Sequence, residues 1–307
     1  MADHHHHHGR AGHGHAPENF GVAFALGTAL NSGFVLVEAV YGVLAHSMAL
    51  IADAGHNFGD VLGLLMAWTA SVLARRVPTR RYTYGLGRGT ILAALLNAAL
   101  LLIAVGAIAV EGVRRLIWPQ PVGDITVMAV AGIGIAVNGA TALLFARGRR
   151  GDVNLRATFL HMAADVLVSA GVVAAAVVIA LTGWVRLDPI VSIAIAGVIL
   201  AGTWNVLGET LGLSLDAVPP GIRPEEVRGY LVGLPGVSRV HDLHIWPMST
   251  TETALTVHLV MPGERPGDRF IATVCEELAH RFGIGHSTLQ IELDDGVVCA
   301  LEPDHVI

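Results

Sequence analysis

Residues 89–110 of the chain read GTILAALLNAALLLIAVGAIAV, twenty-two residues without a charge. A run of about 20 predominantly apolar residues is long enough to cross the hydrocarbon core of a bilayer as a helix. Further charge-free runs occur on both sides of this one. Together with their lightly charged flanks, the runs predict six spanning helices, at about 20–44, 47–74, 89–111, 124–146, 157–182 and 188–212.

The composition supports a membrane protein with an attached soluble domain. Charged residues make up 14% of the 307 residues, against roughly 25% in soluble proteins. Residues 20–213 contain 12 arginines and 9 acidic residues, whereas residues 214–307 contain 6 arginines and 14 acidic residues. We therefore expect a tail at 1–19, a membrane domain at 20–213 and an acidic domain at 214–307. The formal net charge of −6 excludes a strongly basic nucleic-acid binder.

The arginines predict the orientation in the membrane. The connections after helices 2 and 4 carry nine arginines between residues 75 and 156, while the opposite side carries only Arg114, Arg115 and Arg186. Cytoplasmic loops of membrane proteins carry the excess of basic residues. We expect a multi-pass protein of the plasma (inner) membrane with both termini, and the acidic domain, in the cytoplasm.

Ionisable side chains occur inside two of the predicted spans. The pattern His-x-x-x-Asp is formed by His56 and Asp60 in helix 2 and by His161 and Asp165 in helix 5. A separation of four residues places both side chains on one helix face. Ionisable groups at this depth are costly and indicate a functional site. Two such faces opposed would offer two imidazoles and two carboxylates, a donor set that suits tetrahedral Zn²⁺ and balances its charge.

Other polar residues in the spans have less specific interpretations. The four residues above could also hold helices together through polar contacts, although two matching pairs favour a metal site. Asp53 lies seven residues before Asp60 on the same stripe, so it could help metal to enter, support the ligands, or be a polar residue near the outer end. We interpret Glu38, Asn57, Asn97 and Asn138 as residues that pack between helices or support the ligands.

The two ends of the chain are rich in histidine. Residues 4–8 are five consecutive histidines, a tract that could collect metal weakly or could be an expression tag. Residues 214–307 show alternating polarity and turn signals that predict an α+β domain with the order αββαβ, with elements at 223–233, 237–247, 252–261, 267–282 and 287–294. His241 and His244 should point to opposite faces of the first strand.

Four stretches resemble the cation diffusion facilitator family, in its zinc-transporting branch. They are residues 47–60, 154–165, 188–192 and 240–246, which read SMALIADAGHNFGD, NLRATFLHMAAD, DPIVS and VHDLHIW. The resemblance implies six transmembrane helices, a cytoplasmic ferredoxin-like domain, a homodimer, and export of metal coupled to proton influx.

The resemblance also implies site residues. It places the transport site at His56, Asp60, His161 and Asp165. It implies further cytoplasmic sites with the ligands His241, His258, His286 and Glu292, and with Asp294 as a bridge. A solvated acidic face with scattered histidines is the alternative for this second group.

Two loops depart from the family pattern. Some relatives carry acidic and histidine ligands between helices 2 and 3, whereas residues 80–88 read RRYTYGLGR, without either type. We expect that additional site to be absent. The connection between helices 4 and 5 is also short and lacks histidine.

Proton-coupled antiport is the function that these features favour. Zn²⁺ would be substrate and regulatory ion, and protonation of the ligands would release it. The chain contains no lysine and hence no phosphate-binding loop of the Gly-Lys-Ser/Thr type. A membrane-embedded zinc enzyme is an alternative, but four protein ligands would close the site to substrate and no His-Glu-x-x-His motif occurs. A zinc sensor or scaffold would not explain ligands inside the membrane.

Overall fold

Six long helices form the first part of the protein. The computed structural model describes residues 22–146, 153–263, 266–294 and 299–301. The bounds of these helices are α1 Val22–Leu44, α2 Met48–Ala74, α3 Gly89–Ile117, α4 Asp124–Ala146, α5 Val153–Thr182 and α6 Leu187–Ser214. Within the described residues, five of them are long and apolar enough to span a membrane, and α1 contributes the shorter apolar segment Ser32–Leu44. The predicted six-helix bundle is confirmed.

Helix α3 continues beyond its predicted end. The prediction stopped at residue 111, where the charged residues begin, but the helix runs to Ile117. Glu111 Oε1 accepts a hydrogen bond from Arg115 Nε at 3.0 Å, and Glu111 Oε2 accepts one from Arg114 Nη1 at 3.1 Å. These three- and four-residue spacings match the helical repeat, so the charges stabilise the last turns instead of ending them.

Close helix packing surrounds the middle of α2. Helix α4 packs along α5, α3 packs along α6, and α2 contacts α1, α3, α5 and α6. Small residues permit this approach, because a Cβ atom on Gly134 of α4 would lie 2.8 Å from the Phe34 ring of α1. The buried core includes Leu50, Val127, Ala131, Val172 and Ala176. Helix α2 therefore lies inside the bundle and contacts α5, the other helix that carries a His-x-x-x-Asp pair.

A carboxylate from α6 holds the beginning of α2. Asp188 is buried and accepts hydrogen bonds from the backbone N–H of Met48 at 2.6 Å and of Ala49 at 3.2 Å. It also accepts a hydrogen bond from the Ser47 hydroxyl. Ser47 in turn accepts from the Leu50 N–H at 3.2 Å. The first turn of a helix leaves its N–H groups without partners, and here two side chains supply the acceptors.

The last part of the protein is a small two-layer α+β unit. Its elements are α7 Pro224–Val232, β1 Arg239–Pro247, β2 Thr253–Val260, α8 Asp268–Phe282 and β3 His286–Glu292. The sheet order is β1-β2-β3, with β1 and β2 antiparallel and β2 and β3 parallel. The helices cover one side of the sheet with Leu231 and Leu278, which pack on Leu255 and Leu259. The predicted order αββαβ is confirmed.

The segment between α2 and α3 touches this α+β unit. Arg88 forms an ion pair with Asp216, and the Thr250 N–H donates to Thr90 Oγ1 at 3.0 Å. The Tyr84 ring meets the His286 ring edge-on, with 5.6 Å between centroids. This segment therefore connects the α+β unit directly to the first turn of α3.

Candidate metal centre

The two His-x-x-x-Asp pairs meet between α2 and α5. Nε2 of His161 lies 3.1 Å from Asp60 Oδ2, and Nε2 of His56 lies 3.4 Å from Asp165 Oδ1. Within the helices, the histidine nitrogen lies 3.9 Å from the carboxylate in the α2 pair and 3.8 Å in the α5 pair. Each histidine therefore faces both carboxylates.

These separations match the dimensions of a tetrahedral zinc site. Bonds of about 2.0 Å place neighbouring ligand atoms of a tetrahedron roughly 3.3 Å apart. The four distances between nitrogen and oxygen range from 3.1 to 3.9 Å. The ligand atoms of His56, Asp60 and Asp165 all lie within 4.8 Å of one another. His161 is not in that grouping, although its Nε2 lies 3.1 Å from Asp60 Oδ2, and its ring centroid is 6.0 Å from that of His56.

The burial of the four side chains is uneven. The side chain of Asp165 is 1% exposed, that of His56 23%, that of Asp60 31% and that of His161 41%. Among the described residues, neither carboxylate oxygen of Asp165 has a hydrogen-bond partner, nor does Nδ1 of His56. Unpaired buried polar atoms are costly, and a cation bound at this point would stabilise the carboxylate.

A second polar group lies beside the four side chains. Asp53, Glu38 and Asn57 are all fully buried. Asp53 Oδ2 accepts a hydrogen bond from the Ser169 hydroxyl at 2.8 Å, and Glu38 Oε2 accepts one from Asn57 Nδ2 at 3.1 Å. The sequence interpretation of Glu38 and Asn57 as residues that pack or support the ligands did not identify this hydrogen bond between them, which joins α1 and α2. Carboxyl groups in a span are the signal that could have revealed it.

The α+β unit contains its own cluster of ligand-type side chains. Its members are His241, His258, Glu292 and Cys299, whose ligand atoms lie within 4.8 Å of one another. His241 and His258 are partners in the β1–β2 ladder, and Glu292 at the end of β3 reaches both. The Glu292 oxygens lie 3.0 Å from His241 Nε2 and 2.9 Å from His258 Nδ1. Imidazole, carboxylate and thiolate together suit Zn²⁺.

The surroundings shift the pKa values of two members of this cluster. Partial burial raises the pKa of Glu292, but hydrogen bonds with His241, Cys299 and Gln290 outweigh it, and the pKa lies below its ordinary value. For the Cys299 thiol, a backbone hydrogen bond at Leu301 lowers the pKa, but desolvation and the nearby carboxylates of Glu292 and Asp242 raise it above its ordinary value. A metal ion must therefore displace a proton from Cys299 to bind it as thiolate.

Not every ligand implied by the resemblance lies in this cluster. His286 starts β3, at the opposite end of the strand from Glu292, and its ring contacts Tyr84. Asp294 follows β3 with a positive φ of 57°, and its carboxylate is not in the grouping found among the described residues. His244 is exposed and pairs with Asp242 at 2.9 Å, whereas His241 is buried. The ladder pairs His241 with His258 and His244 with Thr256, which lie on the same face of β2. An irregularity of β1 between the two histidines shifts the alternation, so the prediction that they point to opposite faces is wrong.

Cys299 is the member of the cluster that sequence reasoning missed. Its Sγ lies 3.5 Å from His258 Nδ1, and the following Leu301 carbonyl lies 3.3 Å from Nδ1 of His241. The chain after β3 therefore returns to the sheet. A cysteine in a chain with only two is a weak signal, because no spacing relates Cys299 to the histidines.

Six apolar helices, ionisable side chains gathered between two of them, and a small α+β unit define a multi-pass membrane protein of the metal-transporter class. The family model described as "Cation efflux transmembrane domain" matches residues 24–213. A second model, "Cation efflux protein, cytoplasmic domain", matches residues 219–294. The chain belongs to the cation efflux family, which is the family named from the sequence motifs.

Curated relatives cover almost the whole chain. The metal cation efflux system protein CzcD of Cupriavidus metallidurans is 33% identical over 92% of this chain and 90% of its own. The zinc transporter ZitB of Escherichia coli is 34% identical over 91% and 90%. A cadmium, cobalt and zinc/H⁺-K⁺ antiporter of Bacillus subtilis is 31% identical over 87% and 89%. These names confirm the prediction of a transporter instead of an enzyme.

Proposed function

We propose that the protein exports Zn²⁺ from the cytoplasm in exchange for protons, at a site formed by His56, Asp60, His161 and Asp165. The observation that carries the proposal is the convergence of two histidines and two aspartates from α2 and α5 at distances of 3.1 to 3.9 Å. Relatives named as a zinc transporter and as a zinc/H⁺-K⁺ antiporter support the same cargo and exchange.

The donor set favours zinc over harder ions. Imidazole nitrogen suits Zn²⁺, whereas Mg²⁺ and Ca²⁺ prefer shells made only of oxygen. Two aspartates supply two negative charges, so the loaded site is neutral. Neutrality matters because the Asp165 side chain is almost completely excluded from solvent. The same set would also accept Cd²⁺ and other divalent cations of similar softness.

The ligands themselves provide a route for exchange with protons. Metal binds deprotonated imidazole and carboxylate, so binding expels protons and protonation expels metal. Histidine titrates near neutral pH, which makes His56 and His161 suitable for this exchange. A proton gradient directed into the cytoplasm can then drive zinc outward without ATP.

The uneven burial supports an inward-facing arrangement. Asp60 and His161 are the more exposed ligands, and both lie toward the α2–α3 and α4–α5 connections. The arginine distribution assigns these connections to the cytoplasm. Zinc would therefore reach Asp60 and His161 first, and Asp165 last. We place both termini in the cytoplasm of a cell whose plasma (inner) membrane holds residues 20–213.

We assign regulation to the unit formed by residues 214–307. Zn²⁺ at His241, His258, Glu292 and Cys299 would tie β1, β2, β3 and the returning chain together. All four ligand atoms are already within reach of one ion. The family implies a homodimer, with His286 and Asp294 as further ligand residues. The contacts from Tyr84, Arg88 and Thr90 offer a path by which this unit would act on α3. The histidine-rich tail at 1–19 lies outside the described residues.

Transport by purified protein in liposomes tests the proposal. The vesicles contain a zinc-sensitive dye and an acidic interior, and zinc is added outside. We expect wild-type uptake that accelerates with the pH gradient, and loss of uptake in Asp165→Ala. Asp124→Ala is the matched control, because Asp124 lies in the first turn of α4 and, among the described residues, its carboxylate accepts a hydrogen bond only from the Ile125 N–H. Zinc uptake that does not depend on the pH gradient would exclude antiport.

A second measurement separates binding from movement. Equilibrium zinc binding to the full chain in detergent should show a membrane site that is lost in Asp165→Ala and a second site that is lost in His241→Ala. Unchanged zinc uptake in Asp165→Ala would overturn the assignment of the membrane ligands. Hydrolytic activity that needs the same residues would instead favour a zinc enzyme. Zinc binding without any transport by the wild type would favour a sensor.

A further inference from the structure

Glu38 of α1 and Asp53 of α2 form a carboxyl pair buried in the membrane domain. Both residues have no exposed surface, and each lies within hydrogen-bonding reach of the other. One oxygen of each carboxyl is already engaged, by Asn57 Nδ2 at 3.1 Å on Glu38 and by the Ser169 hydroxyl at 2.8 Å on Asp53. Neither Asn57 nor Ser169 belongs to the proposed metal ligands.

The remaining oxygens of the pair lack a donor. Among the described residues, Glu38 Oε1 and Asp53 Oδ1 have no hydrogen-bond partner. Two ionised carboxylates cannot donate to each other, and two like charges held this close in a buried site are strongly unfavourable. A single proton held between the two groups removes one charge and supplies the missing donor. The aspartic-protease dyad shares a proton for the same reason.

The charges around the pair do not remove the need for a proton. Asp165 on α5 adds a further negative charge, and His56 on α2 is a group whose positive charge, when it is protonated, acts on Asp53. Helix α4, which packs on α1, carries one ionisable residue, Asp124, in its first turn. The charged residues of α3 lie in its last turns, and Asp188 of α6 is engaged by the start of α2.

We propose that Glu38 and Asp53 form a proton-binding site that is separate from the metal ligands and that serves the outer half of the transport path. The inference rests on the proposed exchange of zinc for protons. Asp53 lies seven residues before Asp60, about 10 Å along α2 and toward its N-terminal end. With the α2–α3 connection in the cytoplasm, that end faces outward.

Two hydrogen-bonded side chains link the pair to the metal ligands. Asn57 follows His56 directly on α2, and Ser169 lies one turn from Asp165 on α5. A zinc ion bound at Asp165 places two positive charges near the pair and stabilises its ionised form. Zinc binding and protonation of the pair therefore oppose each other, and linkage requires the effect to be reciprocal. The proton leaves when zinc arrives and returns when zinc departs outward.

Infrared spectroscopy of the purified full chain tests the site without relying on transport. Zinc-free wild type should show the carbonyl stretch of a protonated carboxylic acid at neutral pH, and zinc should diminish it. The band should disappear in Glu38→Gln, which mimics the protonated group and preserves its volume. Absence of the band in zinc-free wild type would overturn the proposal without any variant. Loss of the band on adding Na⁺ or K⁺ alone would show a hard-cation site instead.

Proton counting and flux then test the coupling. In weakly buffered solution, Glu38→Gln and Asp53→Asn should bind zinc but release fewer protons than wild type, by up to one per zinc. In liposomes, the ratio of uptake rates with and without a pH gradient should fall toward unity. Glu111→Gln, which removes a half-buried carboxylate at the far end of α3, should behave as wild type in both assays.

Different results would contradict antiport and the separate proton site. If wild-type uptake ignores the pH gradient, the proposed antiport is wrong. If wild-type uptake follows the gradient and both variants of the pair retain full coupling and full proton release, antiport stands and the separate proton site is wrong. If a variant loses zinc binding while it remains folded by its thermal unfolding, the pair supports the metal ligands, and the proposal is again wrong.

Discussion

Replacing Asp188 by alanine should loosen the beginning of α2 while α6 stays intact. The carboxylate belongs to α6, but it accepts hydrogen bonds from the backbone N–H of Met48 and Ala49 and from the Ser47 hydroxyl. All of these groups are buried. The substitution therefore removes a contact between helices that fixes where α2 begins.

The structure sets the size of the effect. A buried donor left without an acceptor costs about 1–3 kcal/mol, and two backbone donors lose theirs. Ser47 still accepts from the Leu50 N–H, so part of the cap survives. We expect local unfolding of the first turn of α2 to become easier by about 3 kcal/mol, on the order of 100-fold in the opening equilibrium.

Hydrogen exchange measured by mass spectrometry on residues 48–52 is the assay. Exchange should accelerate in Asp188→Ala, and less so in Asp188→Asn, which keeps one acceptor oxygen. Asp124→Ala is the control, because in the part of the chain that the structure describes this first-turn aspartate of α4 accepts a hydrogen bond only from its neighbour Ile125. Zinc binding should persist, since His56 lies two turns further along α2. If residues 48–52 of Asp188→Ala exchange at the wild-type rate, Asp188 does not stabilise the beginning of α2.

Three further predictions concern the α+β unit and its contact with the membrane helices. Cys299→Ser should weaken zinc binding by this unit about tenfold, whereas His244→Ala should leave it unchanged. Isothermal titration in an Asp165→Ala background measures the affinity, which should rise with pH in the chain with Cys299 because the thiol must lose a proton to bind zinc. The pKa of Glu292 is lower in the folded state, so its ionised carboxylate stabilises the fold fully above its ordinary pKa of 4.5, and this stabilisation is lost as pH falls through the lower folded value. In Glu292→Gln, the unfolding temperature should therefore fall less steeply as the pH is lowered into this range. Gly87→Ala would place a Cβ atom 2.9 Å from the Met248 carbonyl oxygen, so exchange at residues 84–90 should accelerate, and an unchanged pattern would show that the loop accommodates the methyl group.

The membrane helices follow closely from the sequence because their physical cause is local. A charge-free run of about 20 residues satisfies its own backbone hydrogen bonds and buries its side chains in lipid, wherever its neighbours are. The end of α3 is the exception. The charges of Glu111, Arg114 and Arg115 suggest that the membrane helix ends before them. Their spacing, however, allows them to form ion pairs along the continuing helix.

For the candidate ligands, too, the sequence predicts the contacts within one helix but not those between distant segments. The four-residue spacing puts His56 with Asp60, and His161 with Asp165, on one face of their helices, and the structure brings the two faces together. The connection of Glu38 with Asp53, and of Cys299 with His258, joins residues far apart in the chain. No periodicity relates such positions, so pattern reasoning gives them no preferred partner.

The sequence by itself determined the number of membrane helices and the order of elements in the α+β unit, and it singled out His56, Asp60, His161 and Asp165 as candidate ligands. These depend on hydropathy, helical repeat and donor chemistry, which act over a few residues. Only the tertiary structure decided which side chains share a buried space. It placed α2 against α5, returned Cys299 to the sheet, and left the Glu38 and Asp53 carboxyls facing each other. Close packing between distant segments determines these contacts, because burial makes an unpaired charge or donor costly wherever the chain positions it.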